Sequence, residues 1–600
     1  MSFGNQCYRM TFLIYLSMKL LFILIICLNS IQLISQYNQW QWVYKLYGSA
    51  DRIIRDIDLD KAGNIYLLID YRDHEIQSCN LEITSFSQKG SANCIIKLNP
   101  AGECIWLLNL TNEFGEAGFN QLSIDYNGNI FLAGGIAGQL KIGSQTIGFD
   151  NWEISKVLIK LSNDGELVWW KYYRIKDYSV AFDHFSLDHT GDIYATLFVN
   201  GSLLESLPID SSIIQLKKNG LYARLIIIKW DKNGKLIWVN TMWDEGGYVR
   251  GFGTSTDNYG NLIITGVYDS DSLNVNGKKV YNNRYTSGLP KIRGQYDMFV
   301  AKFDRTTGVA GWLNSFGGEK VDYFWDLKVD RTGNIFISGA FSSSSFLFGN
   351  IDIKFINGVS TYNQFLVSID SLGSPKWGHS YSPLSGWAIY GSQISLDSAD
   401  NIWFGVSIGS KINIDGKELT PRGILDLSYL KFSNIGTIID VVQFGEIGVI
   451  CYPSPFILDH SGALLISGSF VGDSLAVGPY KVINDSWDSR KEKKARDFFL
   501  TKLIPKLISN ENDLTGLIYF KISIHPNPAR DLIQIDFDDD LSADGRVEIL
   551  TTTGTLMKSI NIGKGSTSAT ICVHDWPAGV YLCRYIGYGG FRDFVKFMVE

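Results

Sequence analysis

Between residues 52 and 504, short stretches rich in Ile, Val, Phe and Tyr alternate apolar with polar positions, and Gly, Asn and Asp break them apart. Such alternation marks half-buried strands, and the breaking residues supply positive φ or a local side-chain hydrogen bond for tight turns. One phrase recurs seven times: an acidic residue, a short turn, then an apolar strand. It begins at Asp60, Asp125, Asp188, Asp257, Asp330, Asp397 and Asp459, with steps of 65, 63, 69, 73, 67 and 62 residues. Six copies place glycine three positions on, at Gly63, Gly128, Gly191, Gly260, Gly333 and Gly462, and the remaining copy has Asp400 there. So regular a period predicts stacked or radially arranged modules.

Each unit carries a second signature, in which a strand ending in Lys-Leu-Asn or similar meets a Gly turn and then a strand with Trp. Lys97 leads to Trp106, Lys160 to Trp169, Lys229 to Trp238 and Lys302 to Trp312, while the fifth unit runs from Ser368 to Trp377. Four antiparallel strands per unit is the pattern of a propeller blade. The ends of the array sharpen this. Trp40–Tyr47 reads as a fourth strand with no unit of its own, and the seventh unit stops after Phe498–Leu503 without a Trp strand. Exchanging that strand between the termini removes two unpaired sheet edges. The expected fold is all-β: a seven-bladed β-propeller over residues 36–504, closed by the N-terminal strand, then a linker over 505–521 and a small Ig-like β-sandwich over 522–600.

Composition narrows the class. The 600 residues carry 54 Lys plus Arg against 61 Asp plus Glu, a net charge of −7, so no basic domain points to nucleic acid. The basic run Arg490–Arg496 reads as a solvated loop. Residues 1–35 read as a secretory signal: Lys19, the apolar run Leu20–Leu28, then polar and small residues to Gln36, a layout best matched from Met18. The apolar run falls short of the roughly 20 residues that span a bilayer. Sec machinery and signal peptidase are the partners this implies. Export permits disulfides. Cys79, Cys94 and Cys104 share the first unit, and Cys572 and Cys583 flank a Pro-Ala-Gly corner, as a pair or as two buried thiols.

After residue 521 the repeats give way to short strands at sandwich spacing. Three blocks stand out: Pro526-Asn527-Pro528 before an acidic residue and an apolar strand, Pro577-Ala578-Gly579-Val580-Tyr581, and the tail around Lys596. In these blocks the segment resembles the type A C-terminal sorting domain of the type IX secretion system of Bacteroidetes, with His525 in place of the usual aromatic residue and Glu600 in place of a basic end. The resemblance implies an address read by the outer-membrane translocon, and a secreted or cell-surface destination reached through the periplasm. In structural terms the two prolines fix a turn, Gly579 permits a tight corner and Tyr581 braces it. The repeats likewise resemble the bacterial SBBP β-propeller family, which implies an architecture and no chemistry.

Candidate chemistry is sparse. None of the seven His forms His-Glu-x-x-His, and no phosphate-binding glycine loop occurs. Gly405-Val406-Ser407-Ile408-Gly409 fits the nucleophile-elbow spacing, yet it falls on a second strand where a strand-turn-helix is needed. Asp58 and Asp60 come closest to a calcium loop, but two carboxylates fall short of the six to eight oxygens calcium takes, so the repeated acidic turns read as structural. No cofactor is expected, with structural calcium as the alternative. The expected function is a monomeric, exported propeller that binds a glycan or protein, or serves structurally, through the long connections between second and third strands. The alternative is an exported polysaccharide-degrading enzyme with acids converging in the channel.

Overall fold

The computed structural model describes residues 39–505 and 522–600, apart from positions 49–51, 72–74, 80, 85–91, 112–115, 150–153, 175–179, 200–205, 211, 219–220, 245–246, 284–295, 356–361, 382–389, 415–416, 487–495, 538–544, 552–555, 564 and 588–589. The signal segment, the linker beyond residue 505 and most of the basic run lie outside the described residues. Two compact units emerge, Met1–Lys506 and Leu507–Glu600. Their described elements are β-strands, and the named strand pairs are antiparallel.

Seven sets of four antiparallel strands run through the first compact unit; five stand as four-stranded sheets, and two are extended to six and seven strands by short neighbouring strands. The first repeat shows the plan: Arg52–Leu59 pairs with Ile65–Tyr71, which pairs with Ala92–Leu98, which pairs with Cys104–Thr111. The second strand of each repeat is almost wholly buried, because it has a strand on either side and a neighbouring sheet on each face. The first strands follow one another in contact. Arg52–Leu59 lies against Glu116–Ile124, followed by Val180–Leu187, Val249–Thr256, Asp322–Val329, Tyr390–Leu396 and Ile450–Leu458, and the last lies back against Arg52–Leu59. The seventh sheet takes its fourth strand from the other end of the unit: Gln39–Tyr44 pairs with Asp497–Ile504, with Trp40 opposite Leu503 and Tyr44 opposite Leu500. The orphan strand of the sequence is therefore the missing strand.

A charge network fastens this seam. Arg52, fully buried, meets Asp497 at 2.9 Å and Asp485 at 3.2 Å, and Lys45 meets Asp485 at 2.9 Å and Asp497 at 3.4 Å. Arg52 and Asp497, both fully buried, need each other as partners, since an unpaired buried charge costs several kcal/mol.

Tryptophan explains the second signature of the repeat. The fourth-strand Trp lies over the Gly turn between third and fourth strands of the next repeat. A methyl on Gly308 would stand 2.7 Å from Trp238, one on Gly373 3.0 Å from Trp312, and one on Gly436 2.8 Å from Trp377. These glycines also have φ of 69°, 90° and 89°, so both room and backbone demand Gly. The same indoles donate to turn carbonyls: Trp238 to Arg305 O at 3.1 Å, Trp312 to Ser371 O at 3.2 Å and Trp377 to Asn434 O at 3.0 Å.

The connections between second and third strands are not simply long loops, as the sequence reading expected. Every repeat inserts a short β-hairpin there: Gln139–Ile142 with Gln145–Gly148 in the second, Ser272–Val275 with Lys278–Tyr281 in the fourth, Ser345–Phe348 with Ile351–Lys354 in the fifth. The hairpin borders the fourth strand of the preceding repeat, as Leu273 does by pairing with Asp244. In the first repeat a disulfide joins hairpin residue Cys79 to Cys104 at the start of the fourth strand, with Cα atoms 5.1 Å apart.

The second compact unit contains a three-stranded sheet of Ile522–His525, Leu532–Phe537 and Ser568–Cys572. A four-stranded sheet follows the order Leu556–Ile562, Gly545–Thr551, Gly579–Gly587, Gly590–Val599. Ile533 and Ile535 from the first and Val547, Ile549 and Tyr581 from the second share one core. Cys572 is exposed on one sheet and Cys583 buried on the other, and no disulfide joins them, which decides that pair against a bridge.

Candidate functional site

The repeated acidic turns are Asx turns, each closed by its own aspartate. Asp60 Oδ1 accepts the N–H groups of Ala62 and Asn64 at 2.9 Å, and Oδ2 accepts the Asn64 amide at 2.8 Å and the Tyr66 hydroxyl at 3.2 Å. Gly63 sits at φ 79°, with Gly128, Gly191, Gly260, Gly333 and Gly462 between 78° and 85°, and Asp400 at 60°. Asp125, Asp257 and Asp330 repeat the arrangement, as do Asp188 and Asp459 through their Oδ1 atoms. The cation at these turns is a lysine ammonium from the third strand, a role the sequence reading missed although the Lys-Leu-Asn signature contains the residue. Lys302 lies 2.9 Å from Asp257, Lys431 2.9 Å from Asp397, Lys502 2.6 Å from Asp459, Lys160 3.7 Å from Asp125 and Lys97 3.8 Å from Asp60. Lys229 lies 3.0 Å from Asp192 and 3.9 Å from Asp188. Ser368 takes this register position in the fifth repeat, and its buried hydroxyl has no hydrogen-bond partner. Among the described residues no group of three or more His, Cys, Asp or Glu could hold a metal ion.

Asp58 and Asp60, paired in the calcium reading, point to different partners. Asp58 Oδ2 accepts the Ile124 N–H of the next repeat at 2.7 Å and the Ser123 hydroxyl at 3.2 Å. That staple recurs along the first strands. Asp56 Oδ2 takes Leu122 N–H at 2.7 Å, Gln121 Oε1 takes Phe185 N–H at 3.1 Å, Asp183 Oδ2 takes Gly251 N–H at 3.0 Å and Asp326 Oδ2 takes Ile394 N–H at 2.8 Å. Each carries a hydrogen bond from one repeat to the next. Desolvation pushes the Asp56 carboxyl up to about 7, against hydrogen bonds from Leu122 and Ile57, and pushes Asp183 up to about 6 against Arg250. Asp58 is raised by the same cause. Burial drives His184 down to about 4, and its Nδ1 lies 2.9 Å from Thr254 Oγ1. Ser407 is fully buried inside the strand Ile402–Ile408, and its hydroxyl lies 3.5 Å from Cys451 O, so the elbow spacing is a coincidence of strand composition.

In the C-terminal module the three sequence blocks meet along the last strand. Asn527 Oδ1 accepts Met598 N–H at 2.9 Å, and Val580 pairs with Met598 and Tyr581 with Phe597. Pro526, Asn527, Pro528 and residues 577–580 are exposed, while Tyr581 is buried and donates its hydroxyl to Pro577 O at 2.7 Å. Tyr581 therefore braces the corner as expected. Gly579 does not earn its place there: it has no positive φ, and a methyl on it would meet nothing within 4 Å. Lys596 lies within the strand Gly590–Val599, opposite Leu582.

Among curated proteins none matches the chain. Solved structures give distant likenesses. A fungal alcohol oxidase of the AA5 family, in complex with copper, is 12% identical at TM-score 0.35, covering 94% of this chain and 99% of its own. A polysaccharide lyase of family PL25, an ulvan lyase, is 12% identical at TM-score 0.34, covering 71% and 93%. A quinohemoprotein alcohol dehydrogenase from Comamonas testosteroni is 11% identical at TM-score 0.31, covering 83% and 79%. Likenesses so remote bear no weight on activity. The family model of the secretion system C-terminal sorting domain matches residues 523–599. The chain thus ends in a type IX sorting domain, which supports export to the cell surface or release beyond it.

Proposed function

We propose that residues 36–504 form a seven-bladed β-propeller that acts as a binding module outside the cell, delivered there by its sorting domain. The cyclic contact of first strands and the shared seventh sheet support the propeller reading. The observation that carries the binding reading is the use of the inner carboxylates. Asp56, Asp58, Asp183 and Asp326 each accept a backbone N–H from the next repeat, which is the work of a scaffold. Function on such a scaffold falls to its exposed rims. The test is a screen of the exported protein against glycans and surface proteins, with saturable binding expected. Export itself is tested by deleting residues 522–600, after which the protein should stay in the periplasm; its arrival in the medium would refute the address.

A second reading, an exported polysaccharide-degrading enzyme, draws on Asp56. A carboxyl near 7 keeps a large protonated fraction at neutral pH, the range in which a general acid works. Release of oligosaccharides that Asp56→Asn abolishes would favour it over simple binding.

A further inference from the structure

Every first strand carries a β-bulge at the same level. The register slips between Ile54 and Asp56, Phe119 and Gln121, Phe182 and His184, Gly251 and Gly253, Phe324 and Asp326, Tyr390 and Gln393, and Pro453 and Phe456. A bulge bends its strand and re-aims the extra residue, and bulges concentrate beside functional sites. Because the first strands contact one another in a cycle, the extra residues come one or two per repeat around a common axis. They are Arg55, Asn120, Asp183, Phe252 and Trp325 in the first five repeats, and small or rigid residues, Gly391, Ser392, Ser454 and Pro455, in the last two.

Three of these stand exposed, each directly after a buried residue. Arg55 follows Ile54, Asn120 follows Phe119, and Trp325, 43% exposed, follows Phe324. The Trp325 ring centre lies 5.6 Å from that of Tyr323. Arg250 lies beside Phe252, its guanidinium 6.0 Å from the ring centre, and its side chain is 44% exposed. Arg250 meets Asp183 at 2.9 Å and Arg55 Nε meets Asp70 at 3.1 Å. Lys156, held below its usual range by burial and then by Arg250, adds a third cation near Asp183, while Asp56, Asp58 and Asp326 on the same set of strands are taken up by backbone N–H groups of the next repeat. The bulge ring thus combines the aromatic residues Phe252 and Trp325 with part-exposed guanidinium groups at Arg55 and Arg250.

We propose that this bulge ring is a glycan-binding rim whose ligand is an acidic oligosaccharide, a sugar face lying on Trp325 and uronate carboxylates engaging Arg55 and Arg250. This rests on the binding reading above and deepens it. A planar guanidinium suits a carboxylate, and the indole face suits the apolar face of a pyranose.

The test is calorimetric titration of the full chain with hexagalacturonate, with cellohexaose as the neutral counterpart. Hexagalacturonate should bind, and Trp325→Ala and Arg55→Gln should each weaken it at least tenfold, with Trp325→Phe keeping most of the affinity. Tyr126→Ala, at an exposed residue of an acidic turn, should leave it unchanged. Equal binding of cellohexaose would overturn the acidic assignment. Loss of no affinity in the Trp325 and Arg55 variants would overturn the rim. Absence of hexagalacturonate binding in a protein that binds another glycan or protein would overturn this inference alone, and binding to nothing in either assay would take the broader reading with it.

Discussion

Trp42 lies over Gly102: a methyl on that glycine would stand 2.6 Å from the indole, and the indole N–H reaches Pro100 O at 3.4 Å. This is the contact that Trp238 makes with Gly308, but here it joins the N-terminal strand to the first repeat. Truncating Trp42 to Ala should therefore act at the seam, lowering unfolding stability by about 2–4 kcal/mol. Gly102→Ala should also destabilise, since φ is 82° as well as the space being filled. Urea unfolding of both variants checks this, and wild-type midpoints would refute the seam contact.

The fifth repeat lacks its lysine. Asp330 is buried without the ammonium that its counterparts receive, and Ser368 occupies the register position of Lys302. Ser368→Lys should supply that charge and a donor, stabilising the protein by about 1–2 kcal/mol. Lys302→Ser should cost a similar amount or more, because it strands Asp257. Thermal melts of the two variants should move in opposite directions.

Stability should rise as pH falls from 8 to 6. Asp56 and Asp183 have carboxyls raised by burial to about 7 and 6, and Asp322 likewise to about 6. Stability from a raised carboxyl is full below its unfolded value of 3.8 and is lost as pH climbs through the folded one. His184, driven down to about 4, works the other way, but only below its unfolded value of 6.5. Burial tends to raise Asp257 and Asp459 as well, yet hydrogen bonds from Asn261 and Lys302 and from Lys502 hold them below the usual carboxylate range, so their contribution fades only in stronger acid. The melting temperature should thus be higher at pH 6 than at pH 8, by the equivalent of about 1–2 kcal/mol. Asp56→Asn should shrink that difference, and a flat profile in the parent protein would count against the buried carboxyls.

Reduction should loosen the first repeat. The Cys79–Cys104 bridge closes a sequence separation of 25 residues, for which chain entropy gives about 2–4 kcal/mol. Dithiothreitol should lower the melting temperature of the parent and leave a Cys79→Ser, Cys104→Ser double variant unmoved.

The acidic turns and the orphan strand were legible because a fixed period repeats them, so geometry common to all repeats stands out from local noise. The hairpins were not, since four-residue strands are too short to show alternation, although Asn276-Gly277 between Val275 and Lys278 is a strong turn signal. The bulges were hidden for the opposite reason. One extra residue at Arg55 breaks the alternation between Ile54 and Asp56, and a broken alternation reads as a weak strand. Asp60 and Lys97 lie in separate strands, so which cation the carboxylate meets depended on register. In the sorting domain, Tyr581 follows from a corner needing a brace, while the fold supplies no steric reason for Gly579.

Thr501 donates its hydroxyl to Trp42 O across a sequence separation of 459 residues. Whatever closes that gap must come late in folding. Six sheets draw their four strands from nearby chain, but the seventh waits until both extremes of the array are present. Until then Gln39–Tyr44 is a bare strand edge, open to pairing with any other chain in reach. The molecule therefore faces its greatest risk of misassembly at the last moment, and slow zippering of one seam, with its loop-closure entropy, should set the pace of its maturation.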